Sequence, residues 1–188
     1  MASIGVFCAS SQRLDQRWLK LAHQLGLEIG RRGHELVSGG GCVGMMGAVA
    51  DGTRDGGGRT YGVIPQSLVD LEVADTKSDE LVVTDGMASR KTLMIERADA
   101  FVVLPGGLGT LDELFEVWTT AMLDLHRKPV LLFDAEGFYA GLLEWLRGLA
   151  AQEFVRPSAV SMLLISRDVA EALDLLEASL LGGTVGRA

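Results

Sequence analysis

The sequence has few residues of the kinds that build disulfide frameworks or metal sites. It contains two cysteines, Cys8 and Cys42, and three histidines among its 188 residues. Two cysteines are too few for a disulfide framework, so we expect reduced core thiols in a cytoplasmic protein. The histidines are scattered and show no metal-ligand spacing, so we expect neither a metal nor a cofactor.

Long apolar runs and an excess of basic residues are also missing. No run reaches the roughly 18 apolar residues of a membrane span, and the N-terminus lacks the basic region of a secretory signal. The formal net charge is -8, and no stretch dense in lysine or arginine offsets it. Such a chain is a poor partner for nucleic acids and anionic membranes. A local pocket for one small phosphate remains open to it.

What the sequence does have is a regular alternation of apolar, strand-like segments with amphipathic, helical ones. After the first strand, Leu21, Leu25 and Ile29 recur at helical spacing. Strands that are apolar on both faces and alternate with helices predict a parallel sheet covered on both sides. We therefore predict a single α/β domain over residues 1–188, doubly wound and Rossmann-like, with a flexible tail over residues 182–188.

The boundaries of these segments follow from the apolar patterns and from glycine and proline. The predicted strands cover residues 3–10, 34–41, 59–68 (stopping near Pro65), 80–86, 100–107, 128–134 and 161–168. The predicted helices cover residues 14–32, 44–57, 88–99, 110–124, 138–152 and 168–181. Residues 66–80 are polar and irregular, and we predict a loop there.

The carboxyl ends of three predicted strands are candidates for a binding site, because ligands of such sheets bind outside those ends. They read CASS at 8–11, SGGGCVGMMG at 38–47 and LPGGLGT at 104–110. Glycine admits a close approach of a ligand to the backbone, and consecutive amides at a helix N-terminus suit a phosphate. For either glycine-rich loop alone, a purely structural turn is the alternative interpretation.

Neither glycine-rich loop carries a standard nucleotide-binding fingerprint. GGGCVGMMG lacks the Lys-Ser/Thr ending of a P-loop. The turn after the first strand reads CASSQR, which is not a dinucleotide motif. Generic NAD binding therefore receives little support.

Thr110 and Glu113 permit two interpretations. Their spacing is that of a capping box, in which each side chain satisfies a free backbone donor at a helix start. Alternatively, Glu113 is a functional carboxylate, because it lies beside the proposed phosphate loop. Asp112 and Glu116 add negative charge to the same turn, where the helix dipole favours it.

Arg90 and Lys91 lie in the first turn of a predicted helix, where positive charge opposes the helix dipole. They are either exposed surface residues or they face something anionic, such as a ligand phosphate or Glu113. With phosphate-binding amides and cations nearby, Glu113 would lie at the reacting carbon of a ligand. Cleavage of an N-glycosidic bond fits this arrangement, since a carboxylate stabilises its oxocarbenium-like transition state.

These motifs resemble those of the Lonely Guy family of cytokinin-activating phosphoribohydrolases. The resemblance is carried by PGGLGTLDE at 105–113, SRK at 89–91 and GGGCVGMMGAVADG at 39–52, and it extends from about Ile4 to Leu181. It implies hydrolysis of cytokinin riboside 5'-monophosphates, and of AMP, to a free base and ribose 5-phosphate. Members are often labelled lysine decarboxylases, but no pyridoxal-phosphate lysine motif is apparent here.

The resemblance also implies roles for individual residues. Arg90 and Glu113 would be the catalytic pair. The nucleotide would be contacted by these two and by Ser10, Gly40, Gly41, Met46, Glu72, Lys91, Gly106, Gly107, Leu108, Gly109, Thr110, Leu111, Asp112 and Thr119. The chain departs from the family in one place, because it reads MASRK, with Ala88 where histidine is common. That departure bears on base recognition or a dimer contact more than on the chemistry.

The resemblance implies a homodimer as well, and we expect the helix over 110–124, with its VWTTAML face, to form the shared surface. Two other functions stay open. The first is a nucleotide-binding or carrier protein without catalysis, which would bind AMP but not hydrolyse it. The second is an amino-acid decarboxylase, which would show pyridoxal-phosphate absorbance.

Overall fold

A computed structural model describes residues 1–71 and 73–182 of the chain. Seven strands form one sheet: β1 (Ser3–Phe7), β2 (Glu35–Ser38), β3 (Thr60–Pro65), β4 (Glu80–Thr84), β5 (Ala100–Val103), β6 (Val130–Phe133) and β7 (Leu163–Ser166). The helices are α1 (Gln16–Arg31), α2 (Gly44–Asp55), α3 (Gln66–Val69), α4 (Met87–Arg97), α5 (Leu108–Met122), α6 (Ala140–Ala151), α7 (Pro157–Val160) and α8 (Val169–Gly182).

The sheet has the strand order β4-β3-β2-β1-β5-β6-β7, and every neighbouring pair is parallel. The chain winds outward in one direction from β1 to β4 and in the other from β5 to β7. The order therefore reverses between β1 and β5, which is where a doubly wound sheet leaves a crevice for a ligand. This confirms the predicted doubly wound, Rossmann-like architecture.

Alternate residues of each strand feed two separate cores. On β5, Ala100 and Val102 join the core formed with α1, α2 and α8, whereas Phe101 and Val103 join the core formed with α4, α5 and α6. Because both faces of the strands are covered by helices, the strands read as continuous apolar runs.

Residues 66–80 differ from the predicted loop. The helix α3 occupies Gln66–Val69, directly after Pro65, which pairs with Thr84 at the end of β3. Proline fixes its own φ and cannot donate to the sheet, so a strand end followed by a helical turn suits it. The predicted tail begins at Gly182, where α8 ends, and residues 183–188 lie outside the described part of the chain. Among the described helices, none has the length and apolar content to cross a membrane.

Candidate functional site

A cavity of about 620 Å³ opens beside the switch point between β1 and β5. Its volume falls within the range of small-molecule binding sites. Of the residues predicted to contact a nucleotide, the cavity is lined by Ser10, Gly41, Met46, Arg90, Gly107, Leu108, Gly109, Thr110, Asp112 and Glu113. The three strand ends selected from the sequence therefore surround one cavity.

The remaining predicted contacts lie elsewhere among the described residues or outside them. Gly40 accepts a hydrogen bond from the Asp75 amide at 2.8 Å, and Leu111 packs against the core beneath α5. Gly106 and Lys91 are next to lining residues without lining the cavity themselves, and Thr119 is exposed on α5. Glu72 lies outside the described residues.

The helix α5 begins at Leu108, two residues earlier than predicted. Its N-cap residue is Gly107, which carries no side chain that could accept hydrogen bonds from the first amides. Thr110 and Glu113 both lie inside the helix, so the capping-box interpretation is wrong. The first amides of a helix have no partner within it, and here they face the cavity with the positive end of the helix dipole.

The turn before α5 is packed tightly. A Cβ atom on Gly106 would overlap the side chain of Thr110, which is itself buried. Glycine is therefore required at this position for steric reasons, whatever its role in binding. The close packing holds the turn against the first residues of α5.

Arg90 is an almost fully buried arginine, with 5% of its surface exposed. Its Nε donates a hydrogen bond to the Val63 carbonyl of β3 at 3.1 Å. Its guanidinium lies against the Cα of Gly39, where a Cβ atom would overlap Nη2. The glycine that follows β2 therefore makes the space in which this cation sits.

Glu113 faces Arg90 from the neighbouring helix, with 3.7 Å between Oε1 of the glutamate and Nη2 of the arginine. The carboxylate is 8% exposed. Burial raises the pKa of Glu113 to about 7, and the charge of Arg90 opposes that rise. A buried carboxyl that titrates near neutral pH beside a cation is a typical feature of a catalytic site.

Lys91 points to the outer side of the same pair of helices. Its Nζ lies 2.9 Å from Asp112 Oδ2 and 2.7 Å from Glu116 Oε2, both on α5. These ion pairs, first with Glu116 and then with Asp112, raise the pKa of Lys91. The contacts link α4 to α5 next to the pair formed by Arg90 and Glu113.

Replacing Gly39 with alanine is expected to lower catalytic activity at least tenfold while the protein stays folded. The new methyl group would push the guanidinium of Arg90 away from Val63 and Glu113, and misplacement by about 1 Å costs up to 100-fold in rate. Turnover and thermal unfolding of the variant measure the two effects. Gly148→Ala is the matched control, because a Cβ atom there meets no atom within 4 Å. Unchanged turnover in Gly39→Ala would contradict the packing argument.

An apolar wall of the cavity was not foreseen in the sequence. Leu68, Leu71 and Val73 line it, although they belong to the segment predicted to be a polar loop. Val73 accepts a hydrogen bond from the Cys42 amide at 2.8 Å, which holds the segment to the glycine-rich stretch after β2. The apolar character of these three residues, within an otherwise polar segment, was the signal in the sequence that could have indicated a buried wall.

Cys8 also lines the cavity, although the sequence indicated only a core thiol. It is buried at the end of β1, as that interpretation required, whereas Cys42 is exposed, so the expectation of a core thiol is wrong for Cys42. Burial, and secondarily the charge of Glu113, raises the pKa of the Cys8 thiol well above its usual range, so the thiol is neutral. An uncharged cysteine is a small apolar wall here and not a nucleophile.

Comparisons with known proteins show which family and fold the chain shares. A family model described as "Possible lysine decarboxylase" matches residues 46–176. A Mycobacterium tuberculosis protein named cytokinin riboside 5'-monophosphate phosphoribohydrolase is 48% identical over 91% of both chains. An Arabidopsis thaliana protein of that name, LOG7, is 40% identical over 93% of this chain and 80% of its own. The molybdenum cofactor carrier protein of Chlamydomonas reinhardtii shares the fold, with a TM-score of 0.72, 24% identity, and coverage of 96% and 98%.

Proposed function

The chain belongs to the family of cytokinin riboside 5'-monophosphate phosphoribohydrolases, and from this we propose that it is an N-glycosidase of nucleoside 5'-monophosphates. Its substrates would be cytokinin riboside 5'-monophosphates and AMP. Water adds across the N-glycosidic bond: its hydroxyl goes to C1' of the ribose and its proton to the base. The products are a free base and ribose 5-phosphate. The observation that carries the proposal is the buried pair of Arg90 and Glu113 in the cavity wall.

The phosphate of the substrate would bind at the start of α5. The amides of Leu108, Gly109 and Thr110 are the unpaired first donors of the helix, and all three residues line the cavity. A phosphate dianion at a helix N-terminus gains both the hydrogen bonds and the dipole. This placement leaves the sugar close to Glu113, one turn further along the same helix.

The ionised form of Glu113 would act on the ribose. Its charge stabilises the oxocarbenium-like transition state, and its oxygen can take a proton from the attacking water. Arg90 keeps this carboxyl ionisable at neutral pH, because the nearby cation favours the charged form. The base would lie against the apolar wall of Leu68, Leu71 and Val73.

The decarboxylase description attached to the family model finds no support in the site. That chemistry needs a lysine free to form a Schiff base with pyridoxal phosphate. Lys91, beside Arg90, is bound by two carboxylates on α5, and these raise its pKa. Such a lysine remains a protonated ammonium, which is not nucleophilic.

The proposal is tested by incubating the protein with AMP and, separately, with isopentenyladenosine monophosphate. We expect the free base and ribose 5-phosphate to appear in equal amounts, which chromatography and a reducing-sugar assay measure. Binding of AMP by calorimetry without any release of base would instead support a nucleotide carrier. Release of base from neither nucleotide, by folded protein, would overturn the enzymatic proposal.

We also propose that the protein is a homodimer. Within the predicted VWTTAML face, Val117 and Trp118 are buried in the chain's own core, and Trp118 Nε1 donates to the Ala159 carbonyl at 2.8 Å. The apolar surface left for a partner copy is narrower and includes Met122 and Leu123, both exposed. Exposed apolar side chains of this kind often mark an interface, and sedimentation analysis measures the mass directly.

A further inference from the structure

The hydroxyl of Tyr139 lies beneath the turn that leads into α5. It donates a hydrogen bond to the Leu104 carbonyl at 2.7 Å, and the backbone of Gly106 is near enough to lower the pKa of the phenol. Leu104 and Gly106 flank Pro105, so the phenol holds one side of the turn and lies beside the other. Tyr139 is 3% exposed, and water therefore cannot replace its hydrogen bond to Leu104 easily.

Tyr139 is itself fixed by residues that directly follow β6 and β7. Its amide donates to Asp134 Oδ1 at 2.7 Å, and Asp134 is 1% exposed at the end of β6. The other oxygen of that carboxylate accepts from Arg167, with Nη2 at 2.6 Å and Nε at 3.0 Å. The backbone of Tyr139 is thus attached to residues at the ends of β6 and β7, and these residues do not line the cavity.

The phenol remains a neutral donor at physiological pH. Burial raises the pKa of Tyr139 above its ordinary value, the nearby backbone of Gly106 lowers it, and the nearby Cys8 raises it. The turn is held from the other side by the Ala9 amide, which donates to the Pro105 carbonyl at 3.4 Å. Tyr139 holds the strand side of the turn, through its hydrogen bond to the Leu104 carbonyl.

We propose that Tyr139 is a positioning residue that sets the location of the phosphate-binding amides at the start of α5. It does not touch the substrate. It fixes the Leu104 carbonyl at the start of the turn, and the turn determines where Gly107 and the first amides of the helix lie. The inference rests on the proposed function for its link to turnover, but the binding of a phosphate monoester tests it independently of any reaction.

The test is Tyr139→Phe, which keeps the ring and removes only the hydroxyl. We expect KM for AMP to rise about five- to tenfold with kcat unchanged within about twofold, since the amides bind the phosphate equally in ground and transition states. Calorimetry should show the same loss of affinity for ribose 5-phosphate. Adenosine, which has no phosphate, should bind to both forms equally. A merely structural role would weaken the binding of adenosine as well.

Tyr61→Phe is the matched control, because Tyr61 is the other tyrosine of the chain and its ring lies over Arg97, 5.1 Å from the guanidinium carbon. The Tyr61→Phe variant should leave KM, kcat and both binding affinities unchanged.

Unaltered affinity of Tyr139→Phe for ribose 5-phosphate, or a loss in kcat alone, would overturn the proposal. If the wild-type protein hydrolyses nothing, the proposed function fails while the calorimetry still decides the role of Tyr139. If Tyr139→Phe does not fold, Arg167→Met should weaken binding about two- to threefold, and unchanged affinity there would overturn the inference.

Discussion

Replacing Glu113 with glutamine is expected to reduce the release of base by about 100- to 10,000-fold. Glutamine has nearly the same shape but can neither take a proton from water nor place a negative charge beside the ribose. Because the amides at the start of α5 and the side chain of Arg90 remain, AMP should still bind. Single-turnover kinetics and calorimetry on the same preparation separate the two effects.

The same replacement is expected to make the protein more stable at neutral pH. Burial raises the pKa of Glu113 from 4.5 to about 7, so the folded state binds a proton more tightly than the unfolded state does. The contribution of Glu113 to the free energy of unfolding is therefore fully present below about pH 4.5, and it is lost as the pH rises towards 7. At 1.36 kcal/mol for each pKa unit, the loss approaches about 3 kcal/mol. Glutamine does not ionise, so it avoids this cost.

Urea unfolding at pH 5 and at pH 8 measures the stability effect. We expect Glu113→Gln to exceed the wild-type protein by about 1–3 kcal/mol at pH 8 and by much less at pH 5. Glu35→Gln is the matched control. Glu35 is also a buried carboxylate bound to an arginine, with Oε2 at 2.7 Å from Arg97 Nη2, but it lies at the opposite edge of the sheet. The Glu35→Gln variant should be less stable than the wild-type protein and should keep the wild-type activity. A Glu113→Gln variant that is destabilised, or fully active, would contradict the assignment.

Opposite changes in the free energy of unfolding of the two glutamine variants would distinguish a catalytic carboxylate from one in a structural ion pair. Arg97 and Ser3 both hydrogen-bond to Glu35, so its charge is satisfied in the folded state. Glu113 is close to Arg90 but at 3.7 Å, beyond hydrogen-bonding distance, and so pays for burial without full compensation. Active sites commonly keep such unfavourable interactions because the reaction needs them.

The order of helices and strands could be predicted because each element has a local cause. Every strand of the sheet and each of the longer helices was predicted, since the strands are short continuous apolar runs and the helices repeat apolar residues with a period of 3.6. The strand order could not be predicted, because it depends on which strands pair and not on any one segment. The short helices α3 and α7 were missed, since four residues carry no detectable period.

The location of the site could be predicted because a general rule about parallel sheets applies to it. The packing within the site could not be predicted, because it depends on contacts between residues that are distant in sequence. The three strand ends could be selected because ligands bind at carboxyl ends. The space for Arg90 depends on Gly39, which is far from it in sequence, and on the carbonyl of Val63. The T-x-x-E spacing misled because the helix begins at Leu108, two residues earlier than expected, and its N-cap is Gly107 and not Thr110.

Replacing Arg90 with methionine is expected to lower kcat/KM for AMP at pH 7 on the order of 100-fold. Methionine fills the volume of the arginine stem but removes the cation and the donor to the Val63 carbonyl. Arg97→Met, on the same helix, is the matched control. Arg97 pairs with Glu35 and stacks on Tyr61 away from the cavity, so its loss should leave kcat/KM unchanged.

The pH dependence of the Arg90→Met variant shows how the arginine acts. Arg90 lowers the pKa of Glu113, and burial alone would place that pKa above 7. Without the cation, a smaller fraction of Glu113 is ionised at pH 7, and the rising limb of the kcat/KM profile should move to higher pH. The substrate phosphate also titrates, near pH 6, but it does so equally in both enzymes, so a shift between them belongs to the protein. The part of the lost kcat/KM that recovers at pH 9 would be due to the ionisation of Glu113. The part that does not recover would be due to direct contact between Arg90 and the nucleotide. A rising limb of the kcat/KM profile at the same pH in both enzymes would contradict the electrostatic coupling of Arg90 and Glu113.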